Sequence, residues 1–385
     1  MHAVFNRLAA LAWVAAASAT PAASDPQADL AWQALQTKMT AMQITNADRL
    51  TEVKQREEAK RQFRDLGLAF YTRYPEDQRR WQWLLETVKT EPRYFLKAEQ
   101  AAFTLTWNAE LAVQVDDAAL AAWNKRLQRE LMPAFLASPQ TTSEQRLELY
   151  SADLTNKSFH IDRRAYQRKP VDLEAYRRQI LAVAKAFPQD PTASGHAGHF
   201  FEFGKGWGMT DEGLRAFANA MAASPNEALR ELGLGKRYLF SLLDDPDARL
   251  DMTLETLDGK TLRLSDLRGK MVMIDFWSLS CSACLDEMPH IREVYERYRG
   301  QGFDVVSVAF NEESEKAKVA ALMKKLGLRW STALQSPDAP DSSWKRFGFT
   351  ALGEQFLVDR QGRLVANVLN DVSKLEPRIR ELLPP

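Results

Sequence analysis

Cysteine is nearly absent from this chain: two residues, Cys281 and Cys284, among 385. So few cannot staple a small fold, and without a second C-x-x-C pair they do not make a structural zinc site. Net charge is absent as well, with 51 Lys+Arg against 51 Asp+Glu. A nucleic-acid partner calls for a basic footprint, so that class is excluded. No segment beyond the extreme N-terminus is apolar for long enough to span a bilayer. The GKGWG stretch at Gly204 to Gly208 follows no strand and carries no nucleotide fingerprint. Leu285, rather than histidine, follows Cys284, so the pair is not a haem-attachment motif. Neither a cofactor nor a metal is implied.

What is present begins with a leader-like segment. Arg7 precedes an apolar run from Leu8 to Ala17, with small residues around Ala19 and Ala23. That pattern predicts a secretory signal peptide over residues 1–24, too short in its apolar part to serve comfortably as an anchor. Once it is cleaved no membrane-spanning segment is expected. The mature chain is therefore expected in an oxidising compartment, the periplasm, where an isolated C-x-x-C pair can rest as a disulfide.

Helical periodicity dominates from Asp25 to Asp245. The predicted segments are Leu30 to Met42, Arg49 to Tyr74, Gln78 to Thr90, Leu96 to Val113, Asp117 to Leu131, Ser143 to Leu154, Leu173 to Phe187, Asp211 to Ala223 and Asn226 to Leu243. Pro75, Pro133, Pro188, Pro191 and Pro225 mark the breaks. No fixed period appears, so the expectation is an irregular all-α domain over residues 25–245. The charged run Glu52 to Arg64 reads as the solvated face of a helix. Trp81, Trp83, Trp107 and Trp123 read as core filler rather than a ligand cage. His196 and His199 stand three apart in a stretch read as a loop or helix end, with no third metal ligand specified.

The pattern changes at SLLDDPDARL, Ser241 to Leu250, and residues 249–385 read differently. Met252 to Leu257 and Lys260 to Leu264 flank Asp258-Gly259 as a hairpin. Met271 to Trp277 and Phe303 to Phe310 read as buried strands, Glu313 to Leu326 as a helix, Gln355 to Val358 and Arg363 to Val368 as a second hairpin, and Leu375 to Leu383 as a final helix. The order predicts an α/β domain, a small central mixed sheet with helices on both faces.

The two cysteines stand where the strand Met271 to Trp277 gives way to a helix whose apolar face is Leu285, Met288, Ile291, Val294, Tyr295 and Tyr298, with Gly300 as its stop. The first turn of a helix presents unpaired N–H groups and the positive end of its dipole, which favours thiolate over thiol. Cys281 is therefore the expected nucleophile and Cys284, one turn inward, the resolving thiol.

From about Leu250 onward the chain resembles the TlpA/ResA type of thioredoxin-fold thiol-disulfide oxidoreductases. The resemblance rests on LDGKTLRLSDLRGK, on IDFW before the C-x-x-C pair, on Glu287-Met288-Pro289, and on FGFTALGEQFLVDRQGRL near the end. It implies that Asp275 corresponds to the buried aspartate that relays a proton for the resolving cysteine. A carboxyl in so apolar a strand is also expected to titrate high through desolvation. It further implies that Glu287 tunes the thiols, that Trp277 packs beside them, and that Pro289 kinks the helix. Two departures stand out. Ser280, Ser282 and Ala283 replace the tryptophan before and the proline between the cysteines, and Gly353 falls where relatives have a cis-proline, after the Leu352 backbone that would pair with substrate. The expected function is exchange of disulfides with protein thiols and an unidentified redox partner, the oligomeric state being open. The competing expectation is a non-catalytic thioredoxin-like binding protein whose disulfide is structural.

Overall fold

The computed structural model describes residues 25–42, 49–90, 116–367 and 375–383. The expected leader, the expected helix Leu96 to Val113 with Trp107, and Val368 lie outside the described residues. The chain divides into two compact units, Met1–Leu149 and Tyr150–Pro385.

The first unit is helical. Helix α1 (Pro26–Ala41) starts on an Asp25 cap and lies against α2 (Arg49–Arg73), followed by α3 (Arg79–Lys89). Large rings fill the interior, as helix packing requires: Trp83 is wholly buried, Trp81 and Trp123 nearly so. Gly67 makes room for Trp83, whose Nε1 donates to the Phe63 carbonyl at 3.2 Å. The expected break at Pro133 does not occur. Helix α4 (Asp117–Arg126) widens into a π-turn at Leu127–Leu131 and runs on as α5 (Met132–Ala137). Proline is tolerated there because the π-turn just before it already interrupts the regular i→i−4 ladder that its missing N–H would otherwise break. The charged run of α2 is not wholly solvated either, since Lys60 is buried.

Helix α6 (Ser143–Tyr166) extends well past the expected end at Leu154. The second unit continues with α7 (Leu173–Ala186), α8 (Thr192–Phe203), α9 (Asp211–Ala222) and α10 (Glu227–Asp244), packed around Tyr176, Phe200, Phe217 and Met221. Helix α8 corrects the reading of the His196 region as a loop or helix end.

Two short strands, β1 (Thr253–Glu255) and β2 (Thr261–Arg263), form the expected hairpin with positive φ at Gly259. The main sheet holds β3 (Met271–Trp277), β4 (Phe303–Phe310), β5 (Ser331–Gln335), β6 (Gln355–Val358) and β7 (Leu364–Asn367) in the order β5-β4-β3-β6-β7. The first three are parallel, β6 runs antiparallel to β3, and β7 antiparallel to β6. Helix α11 (Ser282–Tyr298) follows β3 and continues through Pro289; α12 (Lys316–Lys325), α13 (Ser343–Phe347) and α14 (Leu375–Leu382) complete the unit. Strand β5 and α13 were not expected: STALQ lacks a buried run, and five residues make barely one helical turn. The left-handed residue after α11 is Gly302, at φ 93°, rather than Gly300.

Candidate active site

Strand β3 is central and every one of its residues is buried. Alternation sends Met271, Met273, Asp275 and Trp277 toward α11, and Val272, Ile274 and Phe276 toward the opposite face. After Trp277 the chain turns on serines: Cys281 N donates to the Ser278 carbonyl at 3.0 Å, and the Ser278 and Ser280 hydroxyls pair at 2.7 Å. Asn311, at the end of β4, accepts from Leu279 N at 3.2 Å and fastens the turn to the sheet.

Cys281 and Cys284 form a disulfide. Cys281 is the N-cap of α11, and its sulfur accepts from Cys284 N at 3.3 Å. That places the outer sulfur against the helix's unpaired amides, where reduction would leave a stabilised thiolate. Cys284 is 4% exposed and packs with Trp277 and Met288, whereas Cys281 is partly exposed. Cys281 is the more exposed of the two.

Asp275 is fully enclosed, and burial first, then the charge of Glu287, pushes its carboxyl up to about 7; its ladder neighbours Gln355 and Ser307 partly offset this. Gln355 Nε2 donates to Glu287 at 3.1 Å, so one amide side chain reaches the second carboxylate. Glu287 is half-buried on α11, one turn past Cys284. Trp277 has no surface to give a substrate, being wholly buried, and its place is packing beneath the thiols.

Gly353 lies next to Cys284: a Cβ built there would stand 3.6 Å from the Cys284 sulfur. Its φ is 93°, and no cis peptide occurs among the described residues. Gly353 N donates to the Phe276 carbonyl at 3.1 Å, and Phe276 N to the Glu354 carbonyl at 3.0 Å. A proline could adopt neither this φ nor this donation, so the loop takes a different path from the one a proline would impose. Leu352 is half-buried beside it.

Asp275, Glu287, Trp277, Cys281, Cys284, Leu352 and Gly353 thus converge on one end of the sheet. Reading the chain missed Ser307, Gln355, Glu354 and Lys236. Gln355 and Ser307 could have been found from ladder register with Asp275; Lys236 carries no linear signal. It is buried in α10, where desolvation lowers its pKa and Glu354 partly restores it. His196 and His199 go elsewhere. His196 Nδ1 pairs with the Tyr176 hydroxyl at 2.9 Å, and burial, then His199, lowers its pKa to about 4. His199 Nε2 lies 3.4 Å from Asp162. No group of three metal-ligating side chains occurs among the described residues.

A C-x-x-C disulfide at a strand-to-helix junction, in a mixed sheet covered on both faces, defines a thiol-disulfide oxidoreductase domain of the thioredoxin fold. Residues 246–367 match the AhpC/TSA family. The thiol-disulfide oxidoreductase ResA of Geobacillus thermodenitrificans is 31% identical over 124 residues, 32% of this chain and 68% of that protein. ResA of Bacillus subtilis is 29% identical over 140 residues, covering 36% and 73%, and ResA of Bacillus thuringiensis 28% over 130, covering 33% and 72%. The chain belongs to the ResA family of thiol-disulfide oxidoreductases through its C-terminal third, and its N-terminal region is unmatched.

Proposed function

We propose that this protein is an extracytoplasmic, periplasmic thiol-disulfide oxidoreductase that exchanges disulfides with protein substrates through Cys281 and Cys284. The observation that carries the reading is the partly exposed Cys281 sulfur at the N-cap of α11, bonded to a buried Cys284, with the enclosed carboxyl of Asp275 on the same face of the sheet. A substrate thiolate attacks Cys281; the Cys281–Cys284 bond breaks and Cys284 leaves as a thiolate that takes up a proton. A second substrate thiol then displaces Cys281, so two electrons pass from substrate to protein. The reverse sequence reduces a substrate disulfide. Asp275, pushed up to about 7, is positioned to hold and return the proton near neutral pH, and Glu287 biases it. Leu352 and Gly353 form the edge against which substrate backbone rests.

In this reading residues 1–24 are a cleaved leader, residues 25–245 the helical part, whose residues from Tyr150 on pack in one compact unit with the thioredoxin-like part, residues 249–385. The decisive experiment replaces Cys284 with Ala in the exported protein and examines non-reducing gels for partners held through Cys281. Trapped partners, released by reductant and absent when Cys281 is also replaced, are expected. No trapped species, together with failure to reduce insulin, would leave the disulfide a structural staple. Cell fractionation with N-terminal sequencing of the recovered chain tests export.

A further inference from the structure

Beyond the thiols, a cleft of about 610 Å³ opens onto both cysteines. One wall is Cys281, Cys284, Leu352 and Gly353; the opposite wall is Phe201 and Phe203 of α8 and Phe240 of α10. Both walls belong to one compact unit. Their spacing is held by backbone proximity: a Cβ on Gly235 would lie 2.3 Å from Gly348 N, and one on Gly198 2.8 Å from the Thr350 side chain.

Acidic side chains outnumber basic ones in the lining of the cleft. Lys205 and Arg215 at the rim are taken up by Asp211 and Asp244. That leaves the carboxyls of Glu202 and Glu354, whose pKa values burial raises, near the buried Lys236, which lies 5.6 Å from the Phe201 ring. The Oε2 of Glu354 is buried and has no hydrogen-bond partner among the described residues. An acceptor left this way costs free energy until a donor reaches it.

We propose that α8 and α10 complete the substrate site, and that the cleft selects an extended, neutral-to-basic, cysteine-bearing polypeptide segment over anionic low-molecular-weight thiols. This rests on the thiol-exchange reading above. The aromatic wall takes an apolar side chain next to the substrate cysteine, and Glu354 accepts from a main-chain amide or a basic side chain. The carboxylates repel a small thiol that carries carboxylates of its own. A concave site of this volume falls in the range of about 300–1,000 Å³ usual for ligand pockets, and a thin segment enters it where a convex folded surface does not.

The test uses the full-length oxidised protein and follows reduction of its disulfide by dithiothreitol, by glutathione, and by two short peptides with Phe-Cys-Lys or Phe-Cys-Glu at their centre. Each rate is divided by the same variant's rate with dithiothreitol, which removes differences in folding. The Lys peptide is expected to exceed the Glu peptide and glutathione by about tenfold, which corresponds to roughly 1.4 kcal/mol. Glu202→Lys is expected to bring the two peptides within about threefold of each other, and Phe203→Ser, at a side chain 42% exposed, to slow both by about fivefold. Equal peptide rates in the native protein, a preference unmoved by Glu202→Lys, or glutathione outrunning the Lys peptide would each overturn the proposal while thiol exchange stands. If dithiothreitol does not reduce the disulfide at all, the thiol-exchange reading fails, and this one with it.

Discussion

The two faces of the five-stranded sheet share strands but not chemistry. Toward α11, β3 turns Met271, Met273, Asp275 and Trp277 onto a core that contains Cys284 and Met288. Toward α10 the same strand turns Val272, Ile274 and Phe276 onto Leu239 and Leu242, and Phe276 sits among the rings of Phe310, Phe349 and Phe356 at 5.9, 4.8 and 5.1 Å. One face has polarizable sulfur and a buried carboxyl; the other is apolar and ring-packed. The contrast indicates where stability and reactivity reside. Burying Asp275 weakens the folded state at neutral pH, and the aromatic face offsets that cost.

The largest test of this division is Cys281→Ser, which is expected to abolish disulfide exchange while the denaturation midpoint of the reduced protein is unchanged. On the opposite face, Phe347→Ala removes a wholly buried ring and is expected to cost about 3–5 kcal/mol in chemical denaturation. It should leave the pH profile of exchange alone; a shifted profile would break the division between the faces. Asp275→Asn is expected to slow exchange by about a hundredfold near pH 7 and to flatten its pH dependence.

The same substitution has a second readout, in stability. Asp275 titrates at about 7 when folded against an ordinary 3.8, so the folded state retains a proton that the unfolded chain releases. The native protein should be most stable, as far as this group is concerned, below the ordinary value, lose stability as pH rises toward about 7, and change little above that. Asp275→Asn should abolish that loss, which denaturant melts at pH 4.5, 6 and 8 would detect. The smallest expected effect is Gly353→Ala. Its φ of 93° disfavours any side chain, by about 1–2 kcal/mol, and the new methyl would touch the Cys284 sulfur. Reduction by dithiothreitol should slow more than stability falls.

Strands β3, β4 and β6 were legible because burial on both faces leaves continuous apolar runs. Strand β5 was not: it is an edge strand whose Ser331 is exposed, and the tertiary partner that orders its approach is Trp330, donating to Ser307 at 2.7 Å. Helix α8 was obscured by Gly195 and Gly198, residues that argue against a helix in isolation. Gly198 is needed where α8 meets Thr350. The end of α6 was hidden by its polar residues, since Asn156 and Arg163 are buried by packing that no linear pattern announces. In the site, spacing revealed the cysteines and the apolar strand revealed Asp275. Lys236 and Glu354 stayed hidden because each feels the other's charge only through the fold, from positions far apart in the chain.

The meeting of Gly235 and Gly348 also bears on how this protein can change over generations. With no side chain between helix and loop, nothing there can be trimmed or enlarged to absorb a neighbouring substitution. A methyl on either residue would meet backbone, at 2.3 Å for Gly235 and 2.7 Å for Gly348. The two positions should therefore drift together or not at all, and lineages that keep one glycine but lose the other should show a lengthened loop between α13 and β6.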